Sequence, residues 1–453
     1  MTEPKRPGRS IARAPALVER DQNDPLQRGT LAFLTPVFGG GVAIDTLNPQ
    51  CKHPDSVTPV RGASVRGQLR EWWRRTCGFD ERGAPLDLRV LRAREALLWG
   101  WASTSAEPRR GWVSVAVDAS NLGGARPLEV LEPGPRERWR AKTGMAGVAY
   151  GTFPLSPKNA SSKLPAGKLT EYGGTFEVTL RAGPLGEARK KAARVHWGAD
   201  DANVESRMRA EVERAWLAWT TFGGVGGRTR RGFGAVKLAD ARPFSNAVAD
   251  LGWAERVHVL GAGRIFPNEF AALDAGLARL KDFRQGVGLA RNPGQQPNRP
   301  GRSRWPEPDQ IRRLTRTHAV NHAPIHVIEK FPRAAFGMPI IFHFQDFQRN
   351  GEPGETSLQP AGLERLASPL VIRPVVGSDR KIRAIALVLP QRVPLDRTLA
   401  STVLKVAGSP HAVAALLSSD EQDQIAPLAD QRAEPESGAA AVLHPFLRYF
   451  KRP

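Results

Sequence analysis

The chain has 453 residues, of which 41% are hydrophobic, so it is long enough to form two or three packed domains. Lysine and arginine total 66 against 45 acidic residues, which gives a formal net charge of +21. A guanidinium stays charged at physiological pH and forks onto phosphate oxygens, so this excess favours a nucleic-acid partner over a small acidic metabolite. A GC-rich genome also inflates arginine, alanine, glycine and proline, and composition alone leaves that simpler explanation open.

Several classes of protein are excluded by what the sequence lacks. Its two cysteines, Cys51 and Cys77, stand in unrelated contexts, which excludes a disulfide scaffold and a zinc site built mainly from thiolates. No apolar run approaches the length of a membrane span, and residues 1–28 form a loose basic tail without an apolar signal core. We therefore expect a cytoplasmic protein with no membrane partner, no cofactor and no metal.

The first half of the chain reads as alternating strands and helices. Its predicted elements are a strand at Thr30–Phe38, helices from Ser64 and at about Leu88–Trp99, strands at Trp112–Ala119 and Thr175–Arg181, a helix at Asn203–Phe222 and a strand after Gly232. The last helix has the clearest period, with one apolar face formed by Val204, Met208, Val212, Trp216 and Trp219. The order strand, helix, strand, strand, helix, strand describes a ferredoxin-like α+β unit.

A second unit is predicted to begin near Arg256. Its predicted elements are a strand at 257–260, helices at Asn268–Phe283 and Asp309–Thr317, strands at Met338–Phe344, Pro369–Val376 and Lys381–Pro390, and a helical region beyond about Pro410, apart from a polar acidic stretch around Ser418–Gly438. The fold class is therefore α+β, with two ferredoxin-like (RRM-like) domains in tandem at 29–245 and 246–453. The first domain carries a long Gly-, Pro-, Lys- and Ser-rich insertion at about 120–174.

The segment Thr221–Val236, TFGGVGGRTRRGFGAV, holds six glycines and three arginines. Nucleotide-binding glycine loops need a strand before them and a helix after them, whereas this loop follows a helix, precedes a strand and contains no lysine. Glycines still let a backbone approach a phosphodiester chain closely, and neighbouring arginines would add forked donors. The alternative is a plain turn whose arginines are solvated.

A second basic feature is the predicted helix in PVRGASVRGQLREWWRR. Arg66, Arg70 and Arg74 recur at intervals of four, so they form one stripe whose mutual repulsion an anionic partner would relieve. The alternative is that Arg61 or Arg66 pairs with a buried carboxylate and orders the fold. Trp72 and Trp73 fit core packing better than base stacking.

Together these segments resemble the RAMP proteins of CRISPR systems, and more narrowly the family of the Cmr subunit numbered one of type III-B effector complexes. The resemblance rests on motifs spread from Leu31 to about Pro390. These are LTPVFGG at Leu34–Gly40, PVRG at Pro59–Gly62, SVRGQLREWWR at Ser64–Arg74, FGGVGGRTRRGFG at Phe222–Gly234, GRSRWPEPDQIR at Gly301–Arg312, PRAAFGMPIIF at Pro332–Phe342 and ASPLVIRP at Ala367–Pro374.

The resemblance implies two RAMP domains and a non-catalytic role. Such a subunit would hold the 3′ part of a guide RNA (crRNA) and its target RNA, beside the Cmr subunit numbered six and the backbone RAMP subunits. Its RNA-binding residues would be Gly223, Gly224, Gly226, Gly227, Arg228, Arg230 and Arg231 in the loop, Arg61, Arg66, Arg70 and Arg74 in the basic helix, and Lys158, Lys163 and Lys168 in the insertion, acting as a thumb against the duplex.

Catalysis is the opposing hypothesis, because some RAMP proteins cut RNA. His318, His322 and His326 are spaced by four, but Pro324 interrupts the segment, so His326 is predicted to start a strand and no metal site is expected. Asp45, in a Gly/Asn/Pro turn, is more typical of a turn former than of a catalyst. We expect no catalytic residue. An endoribonuclease that processes guide precursors is the alternative, and a general RNA-binding protein would leave the motifs unexplained.

Overall fold

The computed structural model describes residues 25–39, 42–43, 52–53, 58–101, 110–134, 139–152, 169–200, 202–294, 301–344 and 351–453. Within these ranges, none of the helices has the length and apolar character needed to cross a membrane. The chain is a mixed helix and sheet protein with antiparallel sheets.

The described first part of the chain contains helices, a main four-stranded antiparallel sheet and three smaller sheets of two or three strands. Its strands are β1 Gln27–Phe33, β2 Val37–Phe38, β3 Val42–Ala43, β4 Lys52–His53, β5 Val113–Asp118, β6 Arg126–Pro127, β7 Leu131–Pro133, β8 Trp139–Ala141, β9 Leu169–Glu171, β10 Phe176–Ala182 and β11 Val236–Leu238. Its helices are α1 Gly62–Cys77, α2 Leu88–Trp99, α3 Ala146–Gly151, α4 Glu187–Trp197, α5 Val204–Phe222 and α6 Phe244–Leu251. The order in the main sheet is β11-β1-β10-β5, so the last strand lies beside the first.

The second part contains two further sheets. Its strands are β12 Val257–Val259, β13 Ile340–Phe342, β14 Thr356–Pro360, β15 Leu370–Val376, β16 Ile382–Val388, β17 Thr402–Val406 and β18 Ser409–Val413. Its helices are α7 Glu269–Gln285, α8 Glu307–Thr315, α9 Leu395–Leu399, α10 Ser419–Asp423, α11 Ala426–Ala429 and α12 Ala440–Lys451. One sheet has the order β12-β16-β15 and the other β13-β14-β17-β18.

Three sequence predictions need correction. Strand β1 begins at Gln27, inside the predicted tail, because Gln27 pairs with Leu180 of β10. The region beyond Pro410 is not wholly helical, since β18 pairs with β17 before the helices begin. His326 does not start a strand, because its amide donates to the side chain of Asp309 rather than to a neighbouring strand.

The β15–β16 hairpin joins the two parts of the molecule. Its side chains alternate between two cores, as the two-residue period of a strand requires. Val371 and Leu387 are buried with the residues of α1 and α5, whereas Ile372 and Ala386 are buried with those of α7 and α12. The sheet is therefore covered by apolar packing on both faces.

Candidate nucleic-acid interface

The glycine loop, residues 223–235, is held along its length by the segment that follows β1. The Thr35 hydroxyl donates to the Gly232 carbonyl at 2.6 Å and accepts from the Ala235 amide at 2.9 Å. The carbonyl of Pro36 accepts from the Gly234 amide, and that of Phe38 from the Gly227 amide. The two motifs LTPVFGG and FGGVGGRTRRGFG are therefore two sides of one hydrogen-bonded structure.

Glycine is required where the strands of the loop approach each other. A Cβ on Gly224 would lie 2.5 Å from the Gly234 carbonyl oxygen, and one on Gly234 would lie 2.0 Å from that of Val225. Gly234 also has a φ of +59°, which disfavours other residues. Both glycines are buried, as is Gly223, so they shape the loop from within.

The tip of the loop is the part that solvent reaches. Gly226 and Gly227 are exposed, and they lead into a short 3₁₀ turn at Thr229–Arg231. The amides of Gly226, Arg228 and Thr229 donate to no acceptor within the described part of the chain. Arg228 has a left-handed backbone conformation, and successive amide donors around such a residue are suited to binding an anion.

The three loop arginines are engaged within the chain. Both sequence-based interpretations had instead assumed side chains that are open to solvent or to a phosphate. Arg228 donates to the Gly151 carbonyl at 2.7 Å and lies 5.5 Å from the ring centre of Phe38. Arg230 donates to the Ser368 carbonyl at 2.6 Å and pairs with Glu71 at 2.8 Å. Burial lowers the pKa of all three, yet Arg231, whose pKa falls to about 10, remains charged at neutral pH.

Arg231 also bonds across to the second part of the chain, through the Ser368 hydroxyl at 3.2 Å. Arg373 of β15 reaches the same loop from the other direction. It is 2% exposed and donates to the Gly223 carbonyl at 2.7 Å and the Val236 carbonyl at 2.9 Å, one at each end of the loop. Burial lowers the pKa of Arg373 to about 9, still well above neutrality.

The predicted RNA-binding arginines in and just before α1 fall into two groups, one bound to a buried carboxylate and one exposed at the start of the helix. Arg70 and Arg74 both bind the carboxylate of Glu95, which lies on α2 and is 3% exposed. Arg61 and Arg66 are exposed at the start of the helix. A buried carboxylate thus pairs with Arg70 and Arg74, while the pairing foreseen for Arg61 or Arg66 stays a prediction.

Trp72 and Trp73 are core residues, as predicted. Trp72 lies 6.3 Å from Phe222 and 6.2 Å from Trp253 between ring centres. The indole of Trp73 is fully buried and donates to the carboxylate of Glu211 at 2.8 Å. These rings hold α1 against α5 and are not available to stack on bases.

The predicted lysines Lys158, Lys163 and Lys168 lie outside the described residues, as do Asp45 and Cys51. The three histidines do not converge. His322 contacts the carboxylate of Glu352, while a ring nitrogen of His326 contacts the Ser303 carbonyl. Within the described ranges, no group of three or more histidine, cysteine or acidic side chains is placed to hold a metal.

Comparison with known proteins finds a family match in the region that carries the loop. Residues 30–237 match the model of the RAMP superfamily, the superfamily that the sequence motifs indicate. No curated protein matches the chain.

Three solved structures are similar to the chain. One is Cmr1 from Pyrococcus furiosus in its apo form, at 16% identity over 88% of this chain and 95% of that one, with a TM-score of 0.32. The second is a chain of the type III-B Cmr-beta bound to cognate target RNA, at 11% identity over 80% and 94%, with a TM-score of 0.40. The third is the same kind of complex with AMPPnP in the presence of ssDNA, at 11% identity over 81% and 94%, with a TM-score of 0.38.

Sequence reasoning missed the residues that hold the loop from outside it. Glu71, Ser368 and Arg373 are 137 or more residues from the loop positions that they contact, and nothing in their local patterns indicates the contact. Arg373 gave one usable signal, because a lone arginine inside an otherwise apolar strand, LVIRPVV, must find buried acceptors.

Proposed function

We propose that this chain is a non-catalytic RNA-binding subunit of a type III-B CRISPR effector complex, akin to the Cmr subunit numbered one. In this role it holds the 3′ part of the guide RNA and its target RNA beside other Cmr subunits. The match of residues 30–237 to the RAMP superfamily model, the net charge of +21 and the motifs quoted above support this function.

One observation carries the proposal: the loop tip is exposed at Gly226 and Gly227, and the amides of Gly226, Arg228 and Thr229 have no acceptor among the described residues. Backbone amides bind a phosphate without recognising the base, which suits a protein that leaves sequence recognition to guide–target pairing. The nearby Arg228 and Arg231 keep the local potential positive even though their side chains are engaged within the chain. Arg61 and Arg66 would extend the binding surface along α1.

Two ferredoxin-like domains are part of the same proposal. In the first, β1, α1, β5, β10, α5 and β11 follow the expected succession, and the sheet order β11-β1-β10-β5 supports that assignment. In the second, β12, α7, β15, β16 and α12 would supply five of the six elements. The four-stranded sheet β13-β14-β17-β18 would then be an addition to that domain.

A second candidate, a guide-processing endoribonuclease, is favoured by one residue. Tyr150 lies beside the loop arginines, and its hydroxyl accepts a hydrogen bond from Arg284 at 2.6 Å. A tyrosine near bound phosphate could act as a proton donor or acceptor in RNA cleavage. The experiment below therefore measures cleavage together with binding.

The test is a titration of the purified chain with labelled guide-length RNA at about 50 and 200 mM salt, without divalent metal. Bound fraction and RNA integrity are read from the same samples. We expect intact RNA and an affinity that falls by orders of magnitude with salt, as roughly six phosphate contacts require. Arg66→Ala should weaken binding and reduce the salt slope by about one. The matched control is Arg82→Ala, in the exposed turn after α1, which should leave both unchanged.

Absence of salt-dependent binding would contradict the proposed function. Discrete RNA fragments that disappear in Tyr150→Phe would replace it with the endoribonuclease, because that variant removes only the hydroxyl.

A further inference from the structure

We propose that Arg373 and Ser368, in the second part of the chain, are positioning residues that set the conformation of the glycine loop and hence its affinity for RNA. The inference rests on the proposed RNA-binding function of the loop. It goes further by assigning control of that loop to residues that lie outside it and outside the RAMP-matched region, residues 30–237.

Arg373 has the geometry of a clamp. Its two terminal nitrogens donate to the carbonyls of Gly223, the residue that follows α5, and Val236, the first residue of β11. Its Nε donates to the Pro374 carbonyl at 3.1 Å, so all its bonds in the described structure go to carbonyls. A planar fork with fixed donor directions fixes the distance between the two ends of the loop, which a flexible ammonium cannot do.

Ser368 holds the other side of the same loop. Its carbonyl accepts from Arg230, and its hydroxyl accepts from Arg231 and from the Leu370 amide. These bonds fix the 3₁₀ turn that follows the exposed tip. A Cβ on Gly232, in that turn, would lie 2.5 Å from the Ile372 carbonyl oxygen, so the loop backbone packs directly on β15.

These contacts make the shape of the tip depend on β15 and the residues just before it. The tip is exposed at Gly226 and Gly227, and exposed loop segments open most easily unless contacts from outside fix them. Loss of the clamp would let the loop sample other conformations, and RNA binding would then have to select the competent one.

The test is hydrogen exchange on the full chain. The reporters are loop amides that the structure protects: Val225, which donates to Gly234, Gly227, which donates to Phe38, and Gly234, which donates to Pro36. Arg373→Met removes the donor of the Val236 carbonyl and leaves the Gly223 carbonyl with only the long bond, 3.4 Å, from the Val236 amide. The reporter amides should therefore exchange roughly 10- to 100-fold faster, while those of β5 and β10 keep their rates. Arg383→Met is the matched control, because Arg383 lies on the adjacent strand but pairs with the exposed Asp379.

Ser368→Ala keeps the proposal testable if Arg373→Met does not fold, because it removes only one hydroxyl. It should accelerate the same amides, by a smaller factor. Both variants should weaken RNA binding without changing its salt slope, since neither residue touches phosphate. Unchanged loop exchange in Ser368→Ala would overturn the inference. If the wild type binds no RNA, the proposed function fails, and the exchange rates still decide whether β15 and Ser368 set the loop conformation.

Discussion

Glu71 of α1 lies where the glycine loop, the helix and the second part of the chain meet. Its carboxylate accepts from Arg75 and from Arg230. Burial opposes ionisation of Glu71, but Arg75, Arg230 and Arg74 outweigh it, so its pKa is lowered. Such a group adds stability above its unfolded pKa of about 4.3, and this stability is lost as the pH falls through its folded pKa.

We therefore predict that Glu71→Gln lowers the free energy of unfolding at pH 7 and that the difference from the wild type shrinks as the pH falls below about 4.3. Urea denaturation at a series of pH values measures both effects. The exposed Glu187→Gln serves as the control. A difference that is the same at neutral and acid pH would show that charge on Glu71 is not what stabilises the junction.

Cys77 provides a second prediction at the residue scale. It lies at the end of α1, is 8% exposed, and burial raises the pKa of its thiol to about 12. Because the thiolate is the reactive form, we expect no labelling of Cys77 by a thiol reagent in the native protein and complete labelling after denaturation. A Cys51→Ser background isolates the signal. Rapid labelling of the native form would contradict the packing of α1 against α5.

Helix α1 shows why an element's partners were harder to predict than the element itself. Its apolar spacing and the period of α5 were enough to predict both helices and the burial of Trp72 and Trp73. The interval of four placed Arg66, Arg70 and Arg74 on one stripe but could not show that Glu95 of α2 binds two of the three. Which two helices pack together depends on how the whole sheet is assembled, so a local sequence pattern cannot predict it.

The Arg70–Glu95–Arg74 cluster predicts an asymmetry between its members. Removing both arginines leaves a buried carboxylate without partners, so Arg70→Ala with Arg74→Ala should cost roughly 3 to 5 kcal/mol of stability. Glu95→Leu should cost much less, because both arginines are partly exposed and can reach water. Denaturant unfolding measures each change. Equal losses in the two variants would refute this explanation.

At the scale of the whole molecule, the β15–β16 hairpin makes the two parts interdependent. It contributes Val371, Val375 and Leu387 to the core built on α1 and α5. Arg75 of α1 also donates to the Pro390 carbonyl at 2.8 Å. The element order predicts two domains, and that stays a prediction. The shared core could not be predicted, because it depends on which face of the hairpin meets the first sheet.

We expect the chain to unfold in a single calorimetric transition. Leu387→Ala, which opens a cavity in the first core from a strand of the second part, should lower the midpoint of the whole transition by removing about 2 to 5 kcal/mol. Leu404→Ala, in the other core, should lower the same transition. Two resolved transitions, with only one of them shifted by each variant, would instead indicate independently stable domains.

The clamp on the glycine loop also has a consequence for synthesis of the protein. Arg373 is 137 residues downstream of Val236, the residue whose carbonyl it binds. At translation rates of roughly 5 to 20 residues per second, a ribosome needs about 7 to 27 seconds to cover that distance. During this interval α1, α5 and the main sheet can already assemble, while the loop lacks the bonds that involve Ser368 and Arg373. The nascent chain therefore acquires a finished glycine loop only when most of the chain has been made.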